Sequence, residues 1–242
     1  MRWVVGDVHG CARELDDLLR ATRFDAARDT LWTIGDLVNT GPDSVAVLRL
    51  WRDLGGRGVI GNHDVYALLS TSGRWPVKED QLKALRKDPE RDALLEPLRR
   101  LPLLQHFPAQ GSGGEAWLVH AGLHPDWTDL QKVALRTAGP PFDDDRLESA
   151  DLHFGTRVRC CALDGERVRF TGLPEQCPPG TRPWDAFYRG SALIVHGHWG
   201  KRGAYRTERV LGLDSGCVYG GRLTAWCAEE DRTVSVPSRG RT

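Results

Sequence analysis

The fold is decided by three short apolar runs that each end in a polar turn: RWVVGDVHG (residues 2–10), TLWTIGDLVNTG (30–41) and GVIGNHD (58–64). Apolar side chains between these runs recur at helical spacing, at Leu15, Leu18 and Leu19 and again at Val45, Leu48 and Trp51. The resulting order of strand, helix, strand, helix and strand predicts parallel strands joined by helical crossovers.

Two more apolar runs, 116–119 and 192–195, lead into the turns LVHAG and IVHGHWG. The Pro-, Gly- and charge-rich stretch between them is typical of loops and a hairpin. Residues 66–105 are charged and leucine-rich, which predicts a helical cap inserted into a single domain of residues 1–242. The short β-type runs after Val210 predict an antiparallel sheet, and the final PSRGRT predicts a loose tail.

Composition narrows the class of protein. The 242 residues carry 33 basic and 33 acidic side chains, so no overall charge attracts nucleic acid or a membrane surface. The apolar run near Met1 is too short for a signal peptide, and no segment approaches a membrane span, so we expect a cytoplasmic protein. The six cysteines form no CxxC pair or regular framework, and we expect them to be reduced packing residues.

The five polar turns carry the candidate chemistry. Carboxyl ends of parallel strands meet at one edge of a sheet, where ligands bind. The side chains expected there are Asp7, His9, Asp36, Asn62, His120 and either His196 or His198. A single Gly-Asp or His after a strand is usually only a turn. Five such turns after five strands instead predict a mixed nitrogen and oxygen site for Mn²⁺, Fe²⁺ or Zn²⁺, with Asp36 able to bridge two ions.

The motif series GDVHG, GDLVNTG, GNHD, VHAG and GHW, spread over residues 6–199, resembles that of the phosphoprotein-phosphatase-like (calcineurin-like) metallophosphoesterases. In that family the ligand in the last motif is the His after Gly, which selects His198 over His196. The resemblance implies one metal ion on Asp7, His9 and Asp36. It implies a second ion on Asp36, Asn62, His120 and His198.

Longer segments are similar to the symmetrical diadenosine tetraphosphatases of the ApaH type, among them FGTRVRC, HGHWG and LDSGCVYGGRLTAW. This similarity implies a four-layer α/β/β/α sandwich, dependence on Mn²⁺ or Co²⁺, and hydrolysis of diadenosine tetraphosphate to two ADP. Related dinucleoside polyphosphates and RNA 5′ ends with such caps are further expected substrates. Two alternatives stay open: a protein serine/threonine phosphatase of the same family, and a catalytically silent nucleotide sensor or scaffold.

His63, beside Asn62, is placed to protonate the leaving oxygen, or it makes only a supporting hydrogen bond. Protein-phosphatase relatives carry Asp-Arg where this chain has Asn39-Thr40. Asn39 can orient His63 but supplies no charge, and Thr40 cannot clamp a phosphate as Arg does. Both departures favour an anhydride substrate, whose leaving group needs an acid less.

A replacement phosphate clamp is expected in TRVRCCALDGERVRF, residues 156–170. A two-residue turn at Asp164-Gly165 puts Arg157 and Arg159 on one face of a hairpin and Arg167 and Arg169 on the other. Only one pair then faces the metals easily, and the resemblance selects Arg157 and Arg159. A solvated basic hairpin is the alternative. Asp214, Tyr219 and Gly220-Gly221 either form a loop near the site or serve only as turn residues.

Overall fold

The computed structural model describes residues 1–77, 80–109, 114–139 and 142–240. Its first elements are β1 (Arg2–Val5), α1 (Ala12–Thr22), β2 (Thr30–Thr33), α2 (Ser44–Asp53) and β3 (Arg57–Gly58). β2 pairs in parallel with both β1 and β3. The predicted parallel strands with helical crossovers are therefore confirmed.

The next elements are three helices and a strand: α3 (Asn62–Thr71), α4 (Asp80–Lys87), α5 (Arg91–Arg99) and β4 (Leu104–Phe107). The helical stretch thus begins earlier and ends earlier than the expected 66–105. Leu94 and Leu98 of α5 are buried in the core cluster that also contains Leu15 and Trp51. These helices accordingly share the main hydrophobic core with α1 and α2.

The following stretch contains more helix than the sequence predicts. It holds β5 (Ala116–Val119), α6 (Leu130–Thr137), α7 (Asp144–Leu147), α8 (Ala150–Gly155), β6 (Cys160–Cys161), β7 (Arg182–Pro183) and β8 (Leu193–His196). The expectation of loops is wrong for these three helices. The carboxylates of Asp129 and Asp143 cap α6 and α7, and buried leucines anchor α7 and α8 on the core. Short capped helices leave too few turns for the periodicity to be visible.

The last strands are β9 (Tyr205–Arg206), β10 (Val210–Gly212), β11 (Arg222–Cys227) and β12 (Arg232–Pro237). They divide between two five-stranded sheets, ordered β12-β11-β1-β2-β3 and β4-β5-β8-β10-β9. β11 and β12 are antiparallel as predicted, but β10 pairs in parallel with β8 in the other sheet. The predicted single C-terminal antiparallel sheet is therefore only partly right, because burial of β10 beside β8 outweighs its closeness in sequence to β11.

The two sheets pack face to face through a second apolar cluster, to which β1 contributes Val4, β5 contributes Leu118 and β8 contributes Val195. α1 packs on β11 and β12 at the outer face of the first sheet, and α6 packs on β4 of the second. This arrangement is the predicted α/β/β/α sandwich. None of the described helices has the length and apolar character needed to cross a lipid bilayer.

The chain end and two cysteines differ from expectation. The Arg239 backbone N–H donates to Glu14 at 2.9 Å and its guanidinium pairs with Asp17, so residues 237–240 are not a loose tail. The last two residues lie outside the described ranges. Cys160 and Cys177 form a disulfide, whereas the other four cysteines are free and buried. The reduced state is thus wrong for one pair, because pairing of β6 with β7 brings together two residues that are distant in sequence.

Candidate active site

The polar turns meet at the edge of the sandwich, around a cavity of about 850 Å³. The Asp36 carboxylate lies at the centre of the group. Its Oδ2 is 3.6 Å from His9 Nε2 and 3.4 Å from His120 Nε2. Asp7 Oδ2 lies 3.8 Å from His9 Nε2. The structure therefore brings these four predicted ligands together, with Asp36 between the other ligands as a bridging residue requires.

Backbone conformation at this edge is strained. Five non-glycine residues of the site have left-handed φ angles: His9, Asp36, Asn39, Thr40 and His198. Across the described ranges, Arg23 and Asp231 are the only other non-glycine residues with this conformation. Residues other than glycine rarely adopt it, and such strain persists where function demands a particular side-chain direction. Gly61 is required for a different, steric reason, since a Cβ there would lie 2.2 Å from Asp36 Oδ1.

Each of the three histidines in the cluster is oriented by a backbone carbonyl. One ring nitrogen lies within hydrogen-bond range of a carbonyl oxygen: His9 Nδ1 with Val38 at 3.4 Å, His120 Nδ1 with Ile34 at 2.8 Å, and His198 Nε2 with Arg157 at 3.2 Å. Donation to the carbonyl leaves the second nitrogen to bind a proton or a cation. His196 differs, because Gly197 and Tyr205 occupy both of its nitrogens. The structure places His198, and not His196, with the cluster.

Asn62 completes the second group of donors. Its side-chain amide lies 3.1 Å from His120 Nε2 and 2.8 Å from His198 Nδ1. The amide NH₂ can turn toward these nitrogens and donate to them. If the amide oxygen points toward them instead, this oxygen and the two histidine nitrogens are three acceptors that face one another. A divalent cation bound between three such acceptors stabilises the arrangement. Two groups of potential ligands share Asp36, one with His9 and His63 and one with His120 and His198. This donor set fits two cations.

The electrostatics of the site also favour cations. Burial and the neighbouring Asp214 raise the pKa of Asp7 well above its usual value. Burial acts to raise the pKa of Asp36, but His120 and His63 outweigh it and hold that pKa well below the usual value. Burial opposes a proton on His120, yet the Asp36 carboxylate raises the His120 pKa to about 9. Crowded buried carboxylates thus depend on nearby positive charge, which a metal ion would supply in place of the proton.

Asp64 is a site residue that the sequence argument did not single out. Its carboxylate accepts backbone hydrogen bonds from Asp36 at 2.8 Å, Leu37 at 3.0 Å and Gly61 at 3.0 Å. Burial and the nearby Asp36 raise the pKa of Asp64 to about 7. It therefore ties the turn that carries Asp36 to the turn that carries Asn62. The sequence feature that could have identified Asp64 is its place as the last residue of GNHD, at the third position of α3.

His63 is held in one orientation by Asn39. The Asn39 Nδ2 group lies 2.9 Å from His63 Nδ1, and the Thr40 backbone N–H donates to Asn39 Oδ1 at 2.8 Å. The second bond fixes the amide so that its NH₂ faces the ring. Because NH₂ can only donate, Nδ1 accepts and the ring proton lies on Nε2. Burial and the cations His120, Arg157 and Arg159 lower the pKa of His63, with Asp36 opposing them.

The hairpin that follows α8 differs from its predicted register. Ala162 N–H donates to Glu166 O at 2.9 Å and Val168 N–H to Cys160 O at 3.3 Å, which closes a three-residue loop at 163–165. A one-residue shift moves alternate side chains to the opposite face. All four arginines, Arg157, Arg159, Arg167 and Arg169, line the cavity that contains the candidate metal ligands.

The prediction of a two-residue loop with the two pairs of arginines on opposite faces is therefore wrong. The physical reason is the loop itself, which has three residues and ends in Gly165, whose N–H donates to Ala162 O at 3.1 Å. Gly165 packs so closely on His124 that a Cβ would lie 1.8 Å from His124 Nε2. Its φ is also positive, at 85°. Asp214 and Tyr219 line the same cavity, as the first of the two interpretations of that loop expected.

Comparison with known proteins agrees with this geometry. The family model described as calcineurin-like phosphoesterase matches residues 2–202. The chain is 37% identical to a symmetrical bis(5′-nucleosyl)-tetraphosphatase of Dechloromonas aromatica, covering 97% of this chain and 95% of that relative. It is 39% identical to one of Edwardsiella ictaluri, covering 98% and 95%. A solved structure provisionally described as a diadenosine tetraphosphatase superposes with a TM-score of 0.74 at 33% identity, covering 98% of this chain and 93% of that one.

Proposed function

The chain belongs to the calcineurin-like phosphoesterases, and within them to the symmetrical bis(5′-nucleosyl)-tetraphosphatases, and from this membership we propose that it hydrolyses diadenosine tetraphosphate to two ADP. The observation that carries the proposal is the Asp36 carboxylate, 3.6 Å from His9 Nε2 and 3.4 Å from His120 Nε2, beside a cavity lined by four arginines. Residues 1–242 act as one domain, with the helices of the 66–105 region as its cap.

Two divalent ions belong in this site. Asp7, His9 and Asp36 would hold one of them, and Asp36 together with Asn62, His120 and His198 would hold the other. Mn²⁺ suits the mixed nitrogen and oxygen donors best, and Co²⁺, Fe²⁺ and Zn²⁺ are compatible with them. When bound, the ions supply a nucleophilic water at neutral pH and offset the negative charge of the phosphoryl group. The carbonyl contacts of the three histidines keep the ligands oriented for that role.

His63 donates its Nε2 proton toward the leaving oxygen. The Asn39 contact at 2.9 Å fixes the neutral tautomer, which has this proton available. Asn39 supplies no negative charge, so it does not favour a second proton on the ring. A weakly supported acid is sufficient for a phosphoanhydride, because ADP is a far better leaving group than a serine alkoxide. The weak support that Asn39 gives to His63 therefore favours a polyphosphate substrate over a phosphoprotein.

Arg157 and Arg159 bind the phosphate oxygens in the absence of an arginine at Thr40. Arg159 is oriented by donating to His198 O at 2.8 Å and to Phe170 O at 3.1 Å. Arg157 is half-buried beside the ligands, where Asp36 acts on its charge. Planar guanidinium groups bind phosphate oxygens in pairs, so these two residues suit an extended phosphate chain. RNA 5′ ends that carry a dinucleoside tetraphosphate cap present the same chain and are further candidate substrates.

Product analysis tests the proposed reaction. Wild-type protein incubated with diadenosine tetraphosphate and Mn²⁺ is expected to release ADP alone on ion-exchange chromatography. Equal amounts of AMP and ATP would contradict symmetrical cleavage.

Asp36→Asn tests the proposed bridging ligand. Elemental analysis should show less bound metal in this variant, with hydrolysis abolished, because the amide weakens the ligand shared by both ions. The exposed Asp53→Asn variant is the matched control. Near-wild-type turnover of Asp36→Asn would rule out Asp36 as the essential bridge.

A further inference from the structure

The four arginines of the cavity, Arg157, Arg159, Arg167 and Arg169, form what we call the arginine wall. Within the described ranges none of them lies in an ion pair with a carboxylate, although many other arginines of the chain do. Three of the four are half-buried and only Arg169 is exposed. Partly buried cations without an anion are costly to keep side by side, because they repel one another and have lost water. The arginine wall is therefore expected to bind an anionic ligand.

All four arginines of the wall line one cavity together with candidate metal ligands. Burial lowers the pKa of Arg157 to about 10, the Asp36 carboxylate raises it, and the charge of Arg167 lowers it further. Arg159 likewise interacts with carboxylates of the site, whereas the charge that acts on Arg167 is that of Arg169. A single phosphate held by the ions, Arg157 and Arg159 would leave the charges of Arg167 and Arg169 without a partner.

We propose that Arg167 and Arg169 form a second phosphate subsite, which binds the phosphates of a polyphosphate chain beyond the one that reacts. The proposal deepens the function proposed above and rests on it for the identity of the substrate. The ligand class is a linear polyphosphate, whose several negative charges match the several arginines of one cavity. The subsite selects chain length, because only a substrate with further phosphates reaches it.

The hairpin supports this role by its rigid placement. Asp164 Oδ1 accepts from the Glu166 N–H at 3.0 Å, and Gly165 N–H donates to Ala162 O at 3.1 Å. Gly165 at the tip is packed against His124, four residues after the candidate ligand His120. The arms that carry Arg167 and Arg169 are thereby tied to the same loop as the metal site. A merely solvated basic hairpin would not require that contact.

The first test compares a long and a short substrate. We expect Arg167→Ala/Arg169→Ala to lower kcat/KM for diadenosine tetraphosphate about 10- to 100-fold, because charged hydrogen bonds to phosphate are lost. Turnover of p-nitrophenyl phosphate, which has one phosphoryl group, should change less than about twofold. The control is Arg189→Ala/Arg209→Ala, which removes two exposed charges that line a different cavity. Equal losses on both substrates, or a matching loss in the control, would overturn the subsite.

The second test does not depend on the dinucleotide. With Mn²⁺ in excess, inorganic tripolyphosphate should inhibit p-nitrophenyl phosphate hydrolysis with a Ki at least about tenfold lower for wild type than for Arg167→Ala/Arg169→Ala. Inorganic monophosphate should inhibit both equally, and Arg167→Lys/Arg169→Lys should recover part of the tripolyphosphate effect. Equal tripolyphosphate Ki values for wild type and Arg167→Ala/Arg169→Ala would contradict the proposed subsite, even if the wild-type protein makes ADP. If the wild-type protein makes no ADP but the difference in Ki is observed, only the proposed substrate is contradicted and the subsite stands.

Discussion

At the scale of single residues, the site depends on side chains whose hydrogen bonds leave them one possible orientation. Asn39 shows this most clearly, because the Thr40 N–H fixes its amide oxygen and thereby decides which group meets His63. Asp64 fixes the backbone in a similar way, because its carboxylate accepts hydrogen bonds from three N–H groups of two different turns. Neither residue needs to touch a substrate to influence the chemistry.

The first prediction concerns His63. His63→Ala should slow hydrolysis of phosphoserine peptides much more than that of diadenosine tetraphosphate, because general acid catalysis contributes about 100- to 10,000-fold only where the leaving oxygen needs a proton. Asn39→Asp with Thr40→Arg should raise phosphoserine turnover relative to the dinucleotide. Kinetic constants on both substrates measure this. An equal slowing of both by His63→Ala would mean that His63 supports the ligands rather than the leaving group.

The second prediction concerns Asp64. Asp64→Ala leaves three backbone N–H groups without their acceptor, so the free energy of unfolding should fall by about 3 kcal/mol or more. Mn²⁺ affinity should also weaken about tenfold or more, because the partners that orient a ligand contribute that much. Urea denaturation and metal titration check the two effects, with the exposed Asp53→Ala as control. If the stability falls but the metal affinity is unchanged, Asp64 serves only as a helix cap and does not orient the metal ligands.

At the scale of elements, the hairpin at 160–168 changes the site most. Its three-residue loop brings a second pair of arginines to the cavity, and Gly165 of this loop packs on His124. A slip of one residue in the pairing would turn the side chains of one arm to the opposite face of the hairpin. The number of arginines that line the cavity therefore depends on the length of this loop.

The third prediction tests that contact. Gly165→Ala should lower efficiency on diadenosine tetraphosphate nearly as much as Arg167→Ala/Arg169→Ala, because its Cβ would overlap His124 and displace the arms. Gly180→Ala is the matched control, since Gly180 has a similar φ of 80° but open space around it. Gly165→Ala/His124→Ala should restore part of the activity. Steady-state kinetics that are equally poor for Gly165→Ala and Gly180→Ala would show that backbone strain alone is responsible.

At the scale of the whole molecule, the candidate ligands come from both sheets. Asp7 and Asp36 follow β1 and β2 of the first sheet, whereas His120 and His198 follow β5 and β8 of the second. Ions bound among them would join the two halves of the sandwich. Without ions, the buried carboxylates must rely on protonated histidine, which compensates their charge less completely.

The fourth prediction follows from that position. Removal of metal with EDTA should lower Tm by roughly 5–10 °C, because an ion at 100 times its Kd stabilises the native state by about 2.7 kcal/mol. Thermal unfolding with EDTA and with added Mn²⁺ measures the difference. Asp36→Asn should show a much smaller shift. An identical Tm in wild type with and without metal would argue against ions that bridge the sheets.

Much of the fold and of the candidate site could be predicted from sequence because it is local. Each polar turn follows its own apolar strand, so Asp7, Asp36, Asn62 and His120 could be placed at strand ends before any packing was known. The helices at 130–155, the Cys160–Cys177 disulfide and the hairpin register could not be predicted in this way. The helices and the disulfide depend on which distant surfaces meet, and no local pattern records such contacts. The register depends on whether the loop has two residues or three, and Asp164-Gly165 is compatible with both. Sequence thus determined the candidate metal ligands, whereas tertiary packing decided how many arginines face them.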